Sequence, residues 1–284
     1  VGTGIGAMII REVTPDRVAE YSARVHRGFD ELWVVEDLSY AGGISQAAVV
    51  LNATDHVTIG HGIAPAPFRN PAALAMEWAT LATMFPGRLA AGIGHGLGDW
   101  MRRIGAAVDS PLALLDETVR SVRELLAGQT VTRQGRYVHL DSVALRYPPA
   151  SPPPVSLGVT GPKSLQLAGE IGDGTILPEG HGPAEVERAL ELIGTGADRA
   201  ERSGPHRLTV FAAFHIGHPA AAGPRNPDAR RGWEAVAPAP SGVTRALQSL
   251  IDAGADSVVL VPLGADHEQQ LRAAASAVVP QLVR

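Results

Sequence analysis

The chain has 284 residues, is 45% hydrophobic and carries a formal net charge of −5. That balance argues against nucleic acid as the main partner, and no run approaches the roughly 18 consecutive apolar residues that a membrane span needs. With no cysteine, disulfides, thiolate metal sites and a cysteine nucleophile are excluded. The chain enters an apolar strand with no basic leader ahead of it, so the expectation is a cytoplasmic enzyme. Of the 24 basic residues only Lys163 is a lysine, which singles out that position.

In chain order, Gly4 to Ile10 reads as a first strand. Thr14 stands where a helix cap would, with Pro15 at the first helical position and Val18, Tyr21 and Val25 at helical spacing before Gly28. A second strand, Glu31 to Val35, ends in the acidic pair Glu36-Asp37. A helix around Gln46 to Asn52 leads to a third strand, His56 to Ile63, and Asn70-Pro71 opens a third helix with Leu74, Trp78 and Leu81 inward. The fourth strand, within Gly87 to Gly96, is an apolar run that breaks into glycines at Gly92, Gly94 and Gly96. Glycines at a strand end let the backbone pass close to something flat. Leu97-Gly98-Asp99-Trp100 is expected to stay in a loop, with Trp100 a packing residue. Leu112, Leu115, Val119, Val122 and Leu126 mark a fourth helix closed by Gly128, and Gln129 to Leu140 reads as a small hairpin.

A fifth strand covers Val155 to Thr160, and a sixth, Asp173 to Leu177, ends at Pro178-Glu179. A helix follows over about Ala184 to Arg202, and Leu208 to Ile216 is the seventh strand. Gly217 to Ser241 is Pro-, Ala- and Gly-rich with little periodicity and reads as a binding loop or lid. Val243 to Ala253 is helical, Ser257 to Val261 is the eighth strand, and His267 to Leu282 closes the chain as a helix.

Eight apolar strands alternating with amphipathic helices imply a parallel sheet with right-handed crossovers. One closed barrel domain over residues 1–284 fits the count, and a doubly wound open sheet is the alternative. The glycine-rich site follows the fourth strand rather than the first, where a dinucleotide fingerprint would stand, and this favours the barrel. Functional residues then belong at the C-terminal strand ends. Gly161-Pro162-Lys163-Ser164 combines a helix start with a cation, as phosphate binding requires; a plain turn with a solvated lysine is the alternative. His95 is an acid, a ligand donor or a loop residue, and Glu36-Asp37 is a site carboxylate or a capping pair. No HxH, HExxH or Gly-x-Ser-x-Gly spacing occurs, so neither a metal site nor a serine hydrolase is expected.

Several of these pieces stand in a shared order. Gly28 to Val34, Arg69-Asn70-Pro71, Gly87-Arg88 through Gly96, Leu125 to Gly128 with its hairpin, Gly161-Pro162-Lys163, Leu167 to Glu170 and Asp173-Gly174 together resemble the bacterial luciferase-like flavin and deazaflavin oxidoreductases, in particular the coenzyme F420-dependent branch. The remainder, beyond about residue 180, matches only in strand–helix rhythm. The resemblance implies a (β/α)8 TIM barrel with a small hairpin insertion after the fourth helix, holding F420, or alternatively FMN, at the C-terminal mouth. Gly62-Ile63 matches a bulge whose non-prolyl cis peptide backs the central ring. Gly94, His95 and Gly96 match the loop beside the cofactor, and Thr160, Gly161, Pro162 and Lys163 match its phosphate site.

Asp37 stands where many members carry a histidine against the cofactor. The candidates for moving a proton are therefore His95, Asp37 and Glu179. Leu97 replaces the glutamate of the sugar-phosphate-oxidising members. The implied activity is hydride transfer between the deazaflavin and a small organic substrate, in a homodimer with no nucleic-acid or membrane partner. The alternatives are an FMN-dependent monooxygenase and, from another class, a non-redox phosphate-binding barrel lyase or isomerase or a cofactor-binding protein without turnover.

Overall fold

The structure, a computed structural model, describes residues 2–218 and 232–284. Eight parallel strands close on themselves: β1 (Gly4–Ile9), β2 (Glu31–Val34), β3 (Thr58–Pro65), β4 (Leu89–Gly94), β7 (Val155–Gly158), β8 (Gly174–Leu177), β9 (Arg207–Ile216) and β11 (Ser257–Pro262). Closure is made by β11 pairing with β1, Ala7 opposite Leu260. The chain is a (β/α)8 barrel.

Around it lie α1 (Val18–Val25), α2 (Gly43–Ala53), α3 (Pro71–Met84), α4 (Gly98–Arg103), α5 (Pro111–Leu126), α6 (Pro162–Ile171), α7 (Pro183–Arg199), α8 (Pro240–Asp252) and α9 (His267–Ala277). None of them is long and apolar enough to cross a membrane. The inserted hairpin is present as β5 (Val131–Gln134) and β6 (His139–Val143), antiparallel. Its tip is held by the Glu117 carboxylate, which accepts the N–H groups of Arg136, Tyr137 and Val138 at 2.8–2.9 Å.

Two cores follow from the strand alternation. The outward residues pack under the helices, with Leu115, Val119 and Val122 of α5 fully buried there. The lumen is filled by Met8, Trp33, Ile176, Phe211, Val259 and Val261, and half-buried Ile10, Val35 and Ile63 pack onto it. Trp33 lies edge-on to Phe211 at 5.4 Å. Its indole fits because Gly60 has no Cβ, which would stand 2.1 Å from the ring. At the strand-start end, buried Glu31 accepts from Trp33 Nε1 at 2.7 Å and from Ser257 Oγ at 3.1 Å, and pairs with Arg207.

Three local expectations change. Residues 98–103 form a helix rather than a loop: Met101 is buried beneath it and its N–H reaches the Leu97 carbonyl at 3.0 Å. Thr14 makes no side-chain cap bond, and the turn Pro15–Arg17 is 3-10 before α1 begins, whereas Asn70 does cap α3 by accepting from Ala72 N–H at 2.9 Å. The stretch read as a lid is built structure from 232 onward. β10 (Ala235–Ala237) pairs in parallel with β9, Trp233 N–H bonds the Gly180 carbonyl at 3.2 Å, and α8 already starts at Pro240. The rest of that expectation, over 219–231, lies outside the described residues.

Candidate active site

The C-terminal strand ends share one rim. The β3–β4 register breaks between His61 and Ala64, so Gly62 and Ile63 bulge from the ladder, and the Gly62–Ile63 peptide is cis. The Ile63 side chain lies across the ends of the two next strands. A Cβ on Gly94 would stand 2.8 Å from Ile63 Cγ2, and one on Gly158 would stand 2.3 Å from Ile63 Cδ1. Two glycines thus cut the notch in which a branched apolar side chain sits, over the packed lumen. Gly96, at φ +72°, then turns the chain away in the left-handed region.

The acidic pair after β2 divides its labour. Glu36 turns toward the helices and accepts both guanidinium nitrogens of Arg69 at 2.7 and 2.6 Å and the Gly43 N–H at 3.2 Å. His61 Nε2 stands 3.4 Å from its second oxygen. Fully buried His61 receives the Trp78 indole N–H on Nδ1 at 3.2 Å, so a neutral ring carries its hydrogen on Nε2, toward Glu36. Burial by itself would raise the Glu36 carboxyl; hydrogen bonds from His61 and Arg69 and the Arg69 charge outweigh it and bring the pKa to about 2. This group anchors the residue immediately before Gly62. The sequence held no sign of it beyond Arg69-Asn70-Pro71, because its members come from the loop after β2, from β3, and from the turn before α3 and α3 itself.

Asp37 belongs to the mouth. Its Oδ2 accepts from Arg11 Nη1 at 2.9 Å, and the Arg11 guanidinium lies over the Tyr40 ring at 4.7 Å. Across the barrel, half-buried Glu179 follows β8. Burial pushes its carboxyl above the usual range against a bond from its own N–H; the negative charge of Asp37 adds to the rise, and Arg11 opposes it.

His95 sits elsewhere. Its Nδ1 bonds the Pro111 carbonyl at 3.2 Å and its Nε2 the Ser164 hydroxyl at 3.0 Å, so Nδ1–H donates and Nε2 accepts. Burial lowers its pKa, with the Pro111 carbonyl opposing. Asp37 and Glu179 therefore sense one another, while His95 braces the loop after β4 against the start of α6.

At that start Gly161 is the N-cap and Pro162 the first residue. The first bond into the helix is Leu165 N–H to the Gly161 carbonyl, 2.9 Å, which leaves the Lys163 and Ser164 N–H groups ahead of it. Thr160 is half-buried beside them, and exposed Lys163 makes no hydrogen bond or ion pair among the described residues. The rim thus presents the Ile63 side chain over the packed lumen and, two strands on, N–H groups and the Lys163 cation at the start of α6.

The sequence pattern that describes the luciferase-like monooxygenases matches residues 3–276. The chain belongs to that family. Within it, the chain is 29% identical over 208 residues to the 5,10-methylenetetrahydromethanopterin reductase of Methanolobus tindarius, a match covering 72% of this chain and 63% of that enzyme. It is 29% identical over 204 residues to the F420-dependent glucose-6-phosphate dehydrogenase of Nakamurella multipartita, covering 66% of this chain and 60% of the relative. The matches thus span about six-tenths of these relatives' lengths. Among solved structures, the coenzyme F420-dependent tetrahydromethanopterin reductase of Methanopyrus kandleri superposes over the whole of both chains with a TM-score of 0.85 at 20% identity. An F420-dependent secondary alcohol dehydrogenase, in complex with an F420-acetone adduct, does so with a TM-score of 0.87 at 20% identity. These two share the fold.

Proposed function

We propose that this family member is an F420-dependent oxidoreductase, one barrel domain that moves a hydride between the deazaflavin and a small organic substrate at the C-terminal mouth. The observation that carries the reading is the pairing of the Ile63 notch with the open start of α6, in a chain whose relatives include F420-dependent enzymes. When bound, the deazaflavin supplies the carbon that gives or takes the hydride. Gly62, Ile63, Gly94 and Gly158 would back its ring, and Gly96, Thr160, Gly161, Pro162 and Lys163 would hold its phosphate. His95 keeps α6 in place through Ser164.

Lys163→Ala is expected to weaken F420 binding roughly 10- to 100-fold, the about 1.5–3 kcal/mol of a charge-assisted contact. An unchanged dissociation constant by fluorescence titration would remove the phosphate assignment.

Hydride transfer to a carbonyl or imine needs one proton at the receiving heteroatom. Asp37 already receives the Arg11 guanidinium on Oδ2. Glu179 keeps its proton to higher pH and is the donor in this reading, or the acceptor in the oxidative direction. Glu179→Gln is expected to slow single-turnover reduction by about 10²–10⁴ while F420 still binds; an unaltered rate would exclude that role. Leu97, 41% exposed on the loop after β4, offers no acid there, so sugar-phosphate oxidation is not part of the reading.

A homodimer through the outer faces of α2 and α3 belongs to the same reading. α2 has no charged residue, α3 has one, Glu77, and Val49, Met76 and Met84 are exposed there. Light scattering that returned the mass of one chain would remove it.

The functional test is to mix reduced F420 and the protein with a panel of small carbonyl and imine compounds. Return of the oxidised deazaflavin absorbance with one compound supports hydride transfer; no return with any of them, with F420 bound, argues for a binding protein without turnover.

A further inference from the structure

At the end of the barrel opposite the mouth, His26, Asp55 and His56 converge from two separate turns. His26 follows α1 and leads into β2, while Asp55 and His56 join α2 to β3. One ligand atom from each lies within 4.8 Å of the other two, the one such group of three among the described residues. We propose that these three side chains bind a divalent transition-metal ion, with water completing the shell.

The donor chemistry selects the metal. Two imidazoles and one carboxylate suit Zn²⁺, Ni²⁺ or Cu²⁺, whereas Ca²⁺ and Mg²⁺ require oxygen donors. The tautomers suit it too. His26 Nδ1 faces the Ser22 carbonyl at 3.2 Å and so carries the hydrogen, leaving the lone pair on Nε2. A backbone carbonyl behind a ligating histidine is the usual way such a ring is oriented. The His26 and His56 rings stand 5.4 Å apart, tilted by 60° rather than stacked. Asp55 Oδ1 lies 2.5 Å from His56 Nδ1.

Ligands about 2.1 Å from a tetrahedral zinc stand about 3.4 Å apart. The three ligand atoms already lie within 4.8 Å of one another, and the Asp55 and His56 side chains, 86% and 62% exposed, have room to turn toward an ion. The nearby cation Arg88 does not occupy the carboxylate: it donates to the carbonyls of Val57, Leu51 and Thr54 and to Thr54 Oγ1. Such an ion would clip the segments leading into β2 and β3, the strands that carry Asp37 and Ile63. The proposal does not rest on the functional reading.

The test is titration of the chelator-treated 284-residue chain with Zn²⁺ alone, read by calorimetry and thermal unfolding. The expected result is one ion per chain and, at about a hundred times the dissociation constant, a rise of about 5 °C or more in the midpoint. His56→Ala and Asp55→Asn change exposed side chains and leave the fold intact. Each should lose more than the roughly 10- to 100-fold in affinity typical of removing a ligand's supporting partner. No zinc-dependent shift in the unaltered chain would overturn the proposal. So would a shift that persists in His56→Ala, which would place the ion on others of the 10 histidines.

Discussion

Arg69→Ala is expected to destabilise the barrel by about 3–5 kcal/mol, the range for stranding one partner of a buried ion pair. Glu36 is left with a side chain 4% exposed, one N–H from Gly43 and the weak approach of His61. The outer edge of Arg69 reaches water, its side chain being 24% exposed, so the lower part of the range applies. The same pair sets an acid limit. Glu36 titrates at about 2 in the folded chain against 4.5 in the unfolded one. A lowered carboxyl contributes stability that is complete above the unfolded value and lost as pH falls through the folded one, here about 3 kcal/mol between pH 4.5 and 2. Urea midpoints across that window should fall steeply in the unaltered chain and less in Glu36→Gln. Parallel slopes would show that Glu36 is not the titrating group. Because His61 immediately precedes Gly62, Arg69→Ala is also expected to weaken F420 binding at the notch.

The second large effect is at the crossing of α6 and α7. A Cβ on Gly196 would stand 1.9 Å from the Gln166 carbonyl oxygen, and one on Gly169 2.0 Å from that of Ile193. Both obstacles are backbone, so no rotamer change relieves them. Gly196→Ala gains about 1 kcal/mol of helix propensity, but forcing the helices apart costs about 1–3 kcal/mol or more. A contact this short takes the upper end, for a net loss of about 2 kcal/mol and a thermal midpoint lower by about 4–8 °C. Gly194, two residues earlier, has nothing within 4 Å of an added Cβ, so Gly194→Ala is expected to stabilise by about 0.5–1 kcal/mol. Equal shifts of one sign in the two variants would refute the packing account. Since α6 carries Lys163 at its start, Gly196→Ala should also weaken F420 binding, and Gly194→Ala should not.

These two cases show what a sequence can and cannot carry. The eight barrel strands were legible because strands buried on both faces read as continuous apolar runs ended by turn residues. The helix opening at Asn70 and the hairpin after α5 rest on local residues and were readable in place, whereas the Gly62–Ile63 bulge was implied by the resemblance to the luciferase-like family. The direction of Glu36 was not legible. Adjacent residues at a strand end point to opposite sides, and which of Glu36 and Asp37 faces the mouth depends on Arg69, some thirty residues away. α4 is too short to show a helical period and opens on Gly98. β10 is three residues whose pairing is set by β9. The His26, Asp55 and His56 group has no spacing signature, because it forms only when two turns meet at the barrel end.

The most direct test of the central claim is a fluorescence titration of the protein with oxidised and reduced F420 against FMN under the same conditions. The account predicts saturable F420 binding at one per chain, tighter than FMN by about tenfold or more and weakened by Lys163→Ala. FMN binding more tightly, or F420 failing to saturate, would contradict it.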